Sequence, residues 1–157
     1  MKTELTGKYL TFRLAEEDYG IPLQKVKEII GMMPVTAVPQ TPDHVKGVIN
    51  LRGQVIPVSD LRLRFGMDTI AYNDRTCIIV VDIQGADSAT RMGVIVDAVS
   101  EVLHVREEEI EAAPSFGALA RTDYILGMAN MDASVKILLD IDRVFDPDDI
   151  AVLEKAA

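Results

Sequence analysis

The feature that most constrains this 157-residue chain is that it repeats itself. Residues 45–61, Val-Lys-Gly-Val-Ile-Asn-Leu-Arg-Gly-Gln-Val-Ile-Pro-Val-Ser-Asp-Leu, align with residues 125–141, Ile-Leu-Gly-Met-Ala-Asn-Met-Asp-Ala-Ser-Val-Lys-Ile-Leu-Leu-Asp-Ile, at a constant offset of 80. Gly47 meets Gly127, Asn50 meets Asn130, Val55 meets Val135, Asp60 meets Asp140 and, further on, Phe65 meets Phe145. A second echo lies upstream at an offset of 73, pairing Gly20 with Gly93, Val26 with Val99 and Glu28 with Glu101, with Ile29-Ile30 opposite Val102-Leu103. A period this long predicts two similar folding units rather than a solenoid. One exchange makes the copies inequivalent: Arg52 in the first is Asp132 in the second.

Two units of about 70 residues would each be marginal alone, whereas a chain of this length buries roughly 70% of its unfolded surface. The units are therefore expected to share a core. Apolar runs such as Cys77–Val81 fall far short of the ~20 residues a membrane-spanning helix needs, and the amino terminus has no signal-peptide core. A single cysteine suits a reducing compartment, so a cytoplasmic location is expected. The formal net charge of −9 disfavours nucleic acid and anionic membrane surfaces, which are held through lysine and arginine. The absence of Trp argues further against a base-stacking platform.

Alternation over Tyr9–Leu14 predicts a half-buried strand, with Leu10, Phe12 and Leu14 inward and Thr11 and Arg13 outward. Tyr19-Gly20-Ile21 begins a return. Val26–Ile30 suits a strand or a helical turn, and Val35–Val38 reads as a strand stopped by Pro39. Thr41-Pro42-Asp43 carries helix-start signals. Gly47–Leu51 and Gln54–Val58 flank Arg52-Gly53, a two-residue hairpin connection, and Pro57 suggests an edge or a bulge. Ser59 is placed as the cap of a short helix over Asp60–Phe65. Met67–Arg75 is polar enough to join the halves. Thr76–Ile83 reads as a strand covered on both faces. Glu107-Glu108-Glu109 predicts an exposed helical turn, and Asp146-Pro147-Asp148-Asp149 opens a terminal helix. Many short strands, tight turns and single-turn helices give a mainly β fold of two small barrels. The division drawn from sequence is 8–70 and 71–145, with strand exchange between them left open, followed by a helix over 146–157.

No catalytic constellation is present. His44 and His104 stand apart without ligands at metal-binding spacing, and Cys77 lies in an apolar run where a thiol behaves as a small hydrophobe. Asp60 and Asp140 recur by symmetry, which favours capping over paired acid–base work. Neither a cofactor nor a metal is expected, and the chain reads as one that holds other proteins rather than as an enzyme. Open barrel edges accept partner strands, and a crevice between barrels accepts an amphipathic helix or helical hairpin. Val26, Val99 and Val102 are either core valines or the lining of such a crevice. Arg52, at a hairpin tip, is expected to be accessible and able to pair with Glu28. Lys136, a charge following Val135 in a strand expected to be apolar, points to an exposed strand edge.

The block from Val45 to Leu61, with Tyr19-Gly20-Ile21-Pro22, Val26-Lys-Glu-Ile, Thr41-Pro42 and Gly93-Val-Ile-Val-Asp-Ala-Val-Ser-Glu-Val-Leu, resembles CheW, the bacterial chemotaxis coupling protein family. The resemblance runs from about Lys8 to Phe145. It implies two five-stranded, SH3-like β-barrels around a shared core. It also implies a non-catalytic adaptor that tethers the cytoplasmic tips of chemoreceptors to the histidine kinase CheA, recruited to membrane receptor arrays through protein contacts. The family pattern places the receptor's helical hairpin in the groove between barrels, near Val26, Gly47, Val99 and Val102, and gives Glu28 and Arg52 to a pair that controls the kinase. The kinase's regulatory domain shares the fold and is expected to engage barrel edges, with the second half the favoured side. Alternatives are the same adaptor in a non-flagellar chemosensory pathway, or a small ligand-binding or enzymatic barrel marked by a pocket with convergent polar groups.

Overall fold

The structure is a computed structural model and describes residues 2–84, 89–112, 124–131 and 134–145. Among these residues eleven strands succeed one another: β1 (Gly7–Leu14), β2 (Glu17–Pro22), β3 (Val26–Gly31), β4 (Val45–Leu51), β5 (Gln54–Asp60), β6 (Cys77–Gln84), β7 (Ala89–Val96), β8 (Ala98–Val105), β9 (Ile110–Glu111), β10 (Ile125–Met131) and β11 (Ser134–Leu139). Three one-turn helices accompany them: α1 (Lys2–Leu5), α2 (Leu61–Arg64) and α3 (Ile141–Val144).

The strands form two sheets, ordered β8-β1-β2-β11-β10-β9 and β3-β6-β7-β5-β4. The fold is mainly β, two SH3-like barrels around a common core. The first sheet holds six strands rather than five, because two-residue β9 extends it. Strand membership cuts across the division at 70/71. The second sheet takes β3 to β7 without interruption, while the first takes β1 and β2 and resumes at β8. The segment planned for a terminal helix, 146–157, lies outside the described residues.

The internal repeat explains this arrangement. Strand β5 runs parallel to β7 with Val58 beside Gly93, and β11 runs parallel to β2 with Leu138 beside Gly20. These are the same pairing in repeat coordinates, made each time between copies. The ring contacts behave likewise: Phe65 stacks on Tyr124 at 5.2 Å, and Phe145 packs on His44 at 5.7 Å. The Asp60 N–H donates to the His44 carbonyl at 2.7 Å, as the Asp140 N–H does to that of Tyr124 at 2.8 Å. Each copy completes the other.

Three apolar clusters result. The largest joins Leu10, Phe12, Leu14 and Tyr19 of the first sheet to Ile79, Val81, Met92 and Val94 of the second, closed by Leu61, Ile141 and Phe145. The second barrel has its own interior of Ile49, Ile56, Val58, Ile78, Val80 and Ile95. Tyr9, Val105, Ile110, Ala129 and Leu138 fill the first. Strand β6 sends odd residues to the shared core and even ones to its own barrel, which explains its unbroken apolar run.

Several local expectations change. Asp60, not Ser59, caps α2, accepting from the Arg62 N–H at 2.9 Å; the Ser59 hydroxyl instead meets His44 Nδ1 at 2.8 Å. Both residue types suit a cap, and the backbone gives the position to the aspartate. Val35–Val38 forms no strand beyond a single bridge from Thr36 to Val48, and the helix-start signals at Thr41-Pro42-Asp43 give only a turn at Asp43 and His44, closed by the Val45 N–H donating to the Pro42 carbonyl at 2.9 Å. Pro57 sits in an internal strand, tolerated because pairing with β7 begins only at Val58. Lys136 does not mark an edge: β11 lies between β10 and β2, and the ammonium reaches Asp18 at 3.5 Å and the Ser134 hydroxyl at 2.7 Å. Thr11, assigned to the outward face, is buried.

Candidate functional site

Strands β3 and β8, equivalent in the repeat, each end a sheet. On β3, Val26 lies opposite Val81, but the next partners are Glu28 with Val80 and Ile29 with Ile79. The extra residue is a β-bulge, and it changes the parity of the strand. Without it, residues 26 and 29 would point to opposite faces. With it, both stand on the side of Val81 and Ile79, the shared-core side. On β8 the same happens: Val102 is opposite Leu10 and Val99 opposite Phe12, so Ser100 and Glu101 on β8 stand against Thr11 alone on β1. Val99 and Val102 therefore share the face of Leu10 and Phe12.

The result is two matched apolar pairs. Val26 and Val99 are partly buried and pack on the shared core. Ile29 and Val102 emerge from it, 43% and 49% exposed. Sequence reasoning singled out three of these four and passed over Ile29. The signal was there, because the offset of 73 that links Val26 to Val99 links Ile29 to Val102.

Gly47 is buried rather than open. Its φ is +141°, and a Cβ there would come within 1.9 Å of the Thr36 carbonyl oxygen. The N–H groups of Thr36 and Val48 donate to each other's carbonyls at 2.8 and 2.9 Å, clamping the 36–37 segment over this point of β4. A bulge between Val45 and Gly47 recurs between Ile125 and Gly127.

Arg52 and Gly53 both adopt positive φ, 52° and 87°, closing the β4–β5 hairpin as the sequence predicts. The Arg52 guanidinium donates to both carboxylate oxygens of Glu28, one bond measuring 3.2 Å. These bonds hold the Glu28 carboxyl below the usual carboxylate range and push the arginine up. Beside them Asp82 receives Arg91 at 3.1 Å and Lys27 at 3.4 Å. Burial pushes the Asp82 carboxyl up, but the two cations together hold it below its ordinary value.

The pocket that an enzyme would need is elsewhere. A cleft of about 530 Å³ beneath α1 is lined by Leu5, Tyr9, Pro22, Leu23, Leu126 and Ile141, with Lys8, Lys25 and Asp140 among its polar groups. None of the six predicted site residues lines it, and Lys25 is already paired with Asp142 at 2.7 Å. Among the described residues no group of three or more His, Cys, Asp or Glu is placed to hold a metal, and no helix is long and apolar enough to cross a membrane. His44 is a buried structural residue, and the Cys77 thiol donates to the Arg75 carbonyl at 3.2 Å.

A CheW-like domain model matches residues 8–148. The chain belongs to the CheW-like domain family. It is 36% identical to the chemotaxis protein CheW of Klebsiella aerogenes over 150 residues, covering 96% of this chain and 88% of that protein. Identity to the chemotaxis protein CheW of Bacillus subtilis is 34% over 140 residues, or 88% and 86% of the two chains. The fold superposes on the crystal structure of the scaffolding protein TtCheW from Thermoanaerobacter tengcongensis with a TM-score of 0.79 and 35% identity, covering 92% of this chain and 95% of that one. The family is one of chemotaxis scaffolds and adaptors, not a catalytic one.

Proposed function

We propose that this chain couples chemoreceptor signalling tips to the histidine kinase CheA, as a non-catalytic cytoplasmic adaptor recruited to membrane receptor arrays through protein contacts. The observation that carries this reading is the matched pair of exposed apolar residues, Ile29 and Val102, on bulged end strands flanking the shared core. An amphipathic helical hairpin needs such a surface: an apolar floor with charge at its rim. Val26 and Val99 supply the floor. Ile29 joins Val102 as a contact, and Gly47 acts by holding the 36–37 segment against β4. Glu28 and Arg52, near the Lys27–Asp82–Arg91 cluster, form the charged rim through which receptor state reaches the kinase.

The test is reconstitution with a receptor signalling fragment and the kinase. Val102→Asp retains the melting temperature, because the side chain is half exposed, and weakens receptor binding more than kinase binding. Wild-type capture of both partners by that variant would remove the groove assignment.

A further inference from the structure

The apolar face of β8 depends on a bulge, and the bulge depends on one side chain. Between the pairs Leu10–Val102 and Phe12–Val99, Thr11 on β1 and Ser100 and Glu101 on β8 have no partner in the register. The Thr11 hydroxyl fills the gap: it donates to the Glu101 carbonyl at 2.8 Å and accepts from the Glu101 N–H at 3.1 Å. One buried side chain thus satisfies both main-chain groups of the extra residue. The matching bulge on β3 has no such device, since Glu28 pairs directly with Val80, the residue standing where Thr11 stands in the other barrel.

We infer that Thr11 is a positioning residue for receptor coupling: its hydroxyl locks the β8 bulge that puts Val99 and Val102 on one face. Removing the hydroxyl leaves an N–H and a carbonyl unmatched beside a buried methyl, which favours ironing out the bulge. A slip of one residue sends every side chain beyond it to the opposite face. Val99 and Val102 would then no longer face the same way. Thr11 touches no partner itself and lies beneath the strand it sets.

The inference rests on the proposed groove, so the test separates the two. Thr11→Val keeps shape and loses the hydroxyl; Thr11→Ser keeps the hydroxyl; Thr11→Ala serves if the valine variant does not fold. Amide hydrogen exchange at Glu101 reads the bulge directly, and affinity for a synthetic receptor helical hairpin, set against affinity for the kinase, reads its consequence. The expected result is faster exchange at Glu101 and hairpin binding weakened about five- to tenfold in Thr11→Val, kinase binding unchanged, and both readouts restored in Thr11→Ser. Unchanged Glu101 exchange, or faster exchange with undiminished hairpin binding, overturns the inference. If Val102→Asp also binds the hairpin normally, the groove reading has failed instead.

Discussion

Arg52, at the tip of the β4–β5 hairpin, grips Glu28 on β3 through two hydrogen bonds, joining the first and last strands of the second sheet. The pair closes the seam where that barrel curls back on itself. In the repeat its counterparts are Glu101 and Asp132, two acids, so the second copy carries no equivalent pair of opposite charge.

Both partners are reachable by solvent, and exposed ion pairs contribute little to stability. Arg52→Ala is therefore expected to shift the melting temperature by about 2 °C or less while lowering receptor-controlled kinase activity in a reconstituted array. Parallel loss of stability and coupling would show that the pair is structural.

The same pair sets a pH dependence. Glu28 ionises below its ordinary value of 4.5, so whatever the pair contributes is present above that value and is lost as pH falls through the depressed one. NMR titration of the Glu28 side-chain carbon should give a midpoint under 4.5, returning toward 4.5 in Arg52→Ala.

Gly47→Ala introduces a Cβ 1.9 Å from the Thr36 oxygen at a φ of +141°. A destabilisation of about 3 kcal/mol is expected in urea titration. Gly127→Ala, whose Cβ would stand 3.1 Å from the Glu111 oxygen, should cost less than its counterpart. Equal losses would mean that the 36–37 segment yields readily.

Tyr72 donates to Asp60 Oδ2 at 2.8 Å. Burial, then this bond and the carboxylate charge, push the phenol far above its usual value. Its contribution is complete below the unfolded phenol's value near 10 and fades as pH rises toward the folded one. Tyr72 is 39% exposed, so Tyr72→Phe should cost only about 0.5–1 kcal/mol at neutral pH and flatten the alkaline decline of stability. An unchanged decline would assign it to other groups.

Much of this was legible in the residues. The repeat announced two barrels, the turn at Arg52-Gly53 announced its hairpin, and the shared offset made Val26 and Val99 equivalent. What resisted was pairing between distant strands. Alternation tells which side of a strand is apolar but not which strand lies beside it, so a split at 70/71 and the nested arrangement fit the same pattern. Thr11 was misread for a related reason. Its polarity suited an outer face, whereas its hydroxyl serves a bulge that exists only when two strands, 90 residues apart in sequence, are laid together.

The nesting has a consequence for how the protein is made. The second barrel can finish once Val96 has left the ribosome, but β2 must wait for β11, whose Lys136 lies beside Asp18 at a sequence separation of 118 (136 − 18). Until then the opening strands travel as an unpaired edge, the kind of surface that sticks to neighbours. Synthesis thus makes the full set of strands of the second barrel available first and that of the discontinuous barrel last.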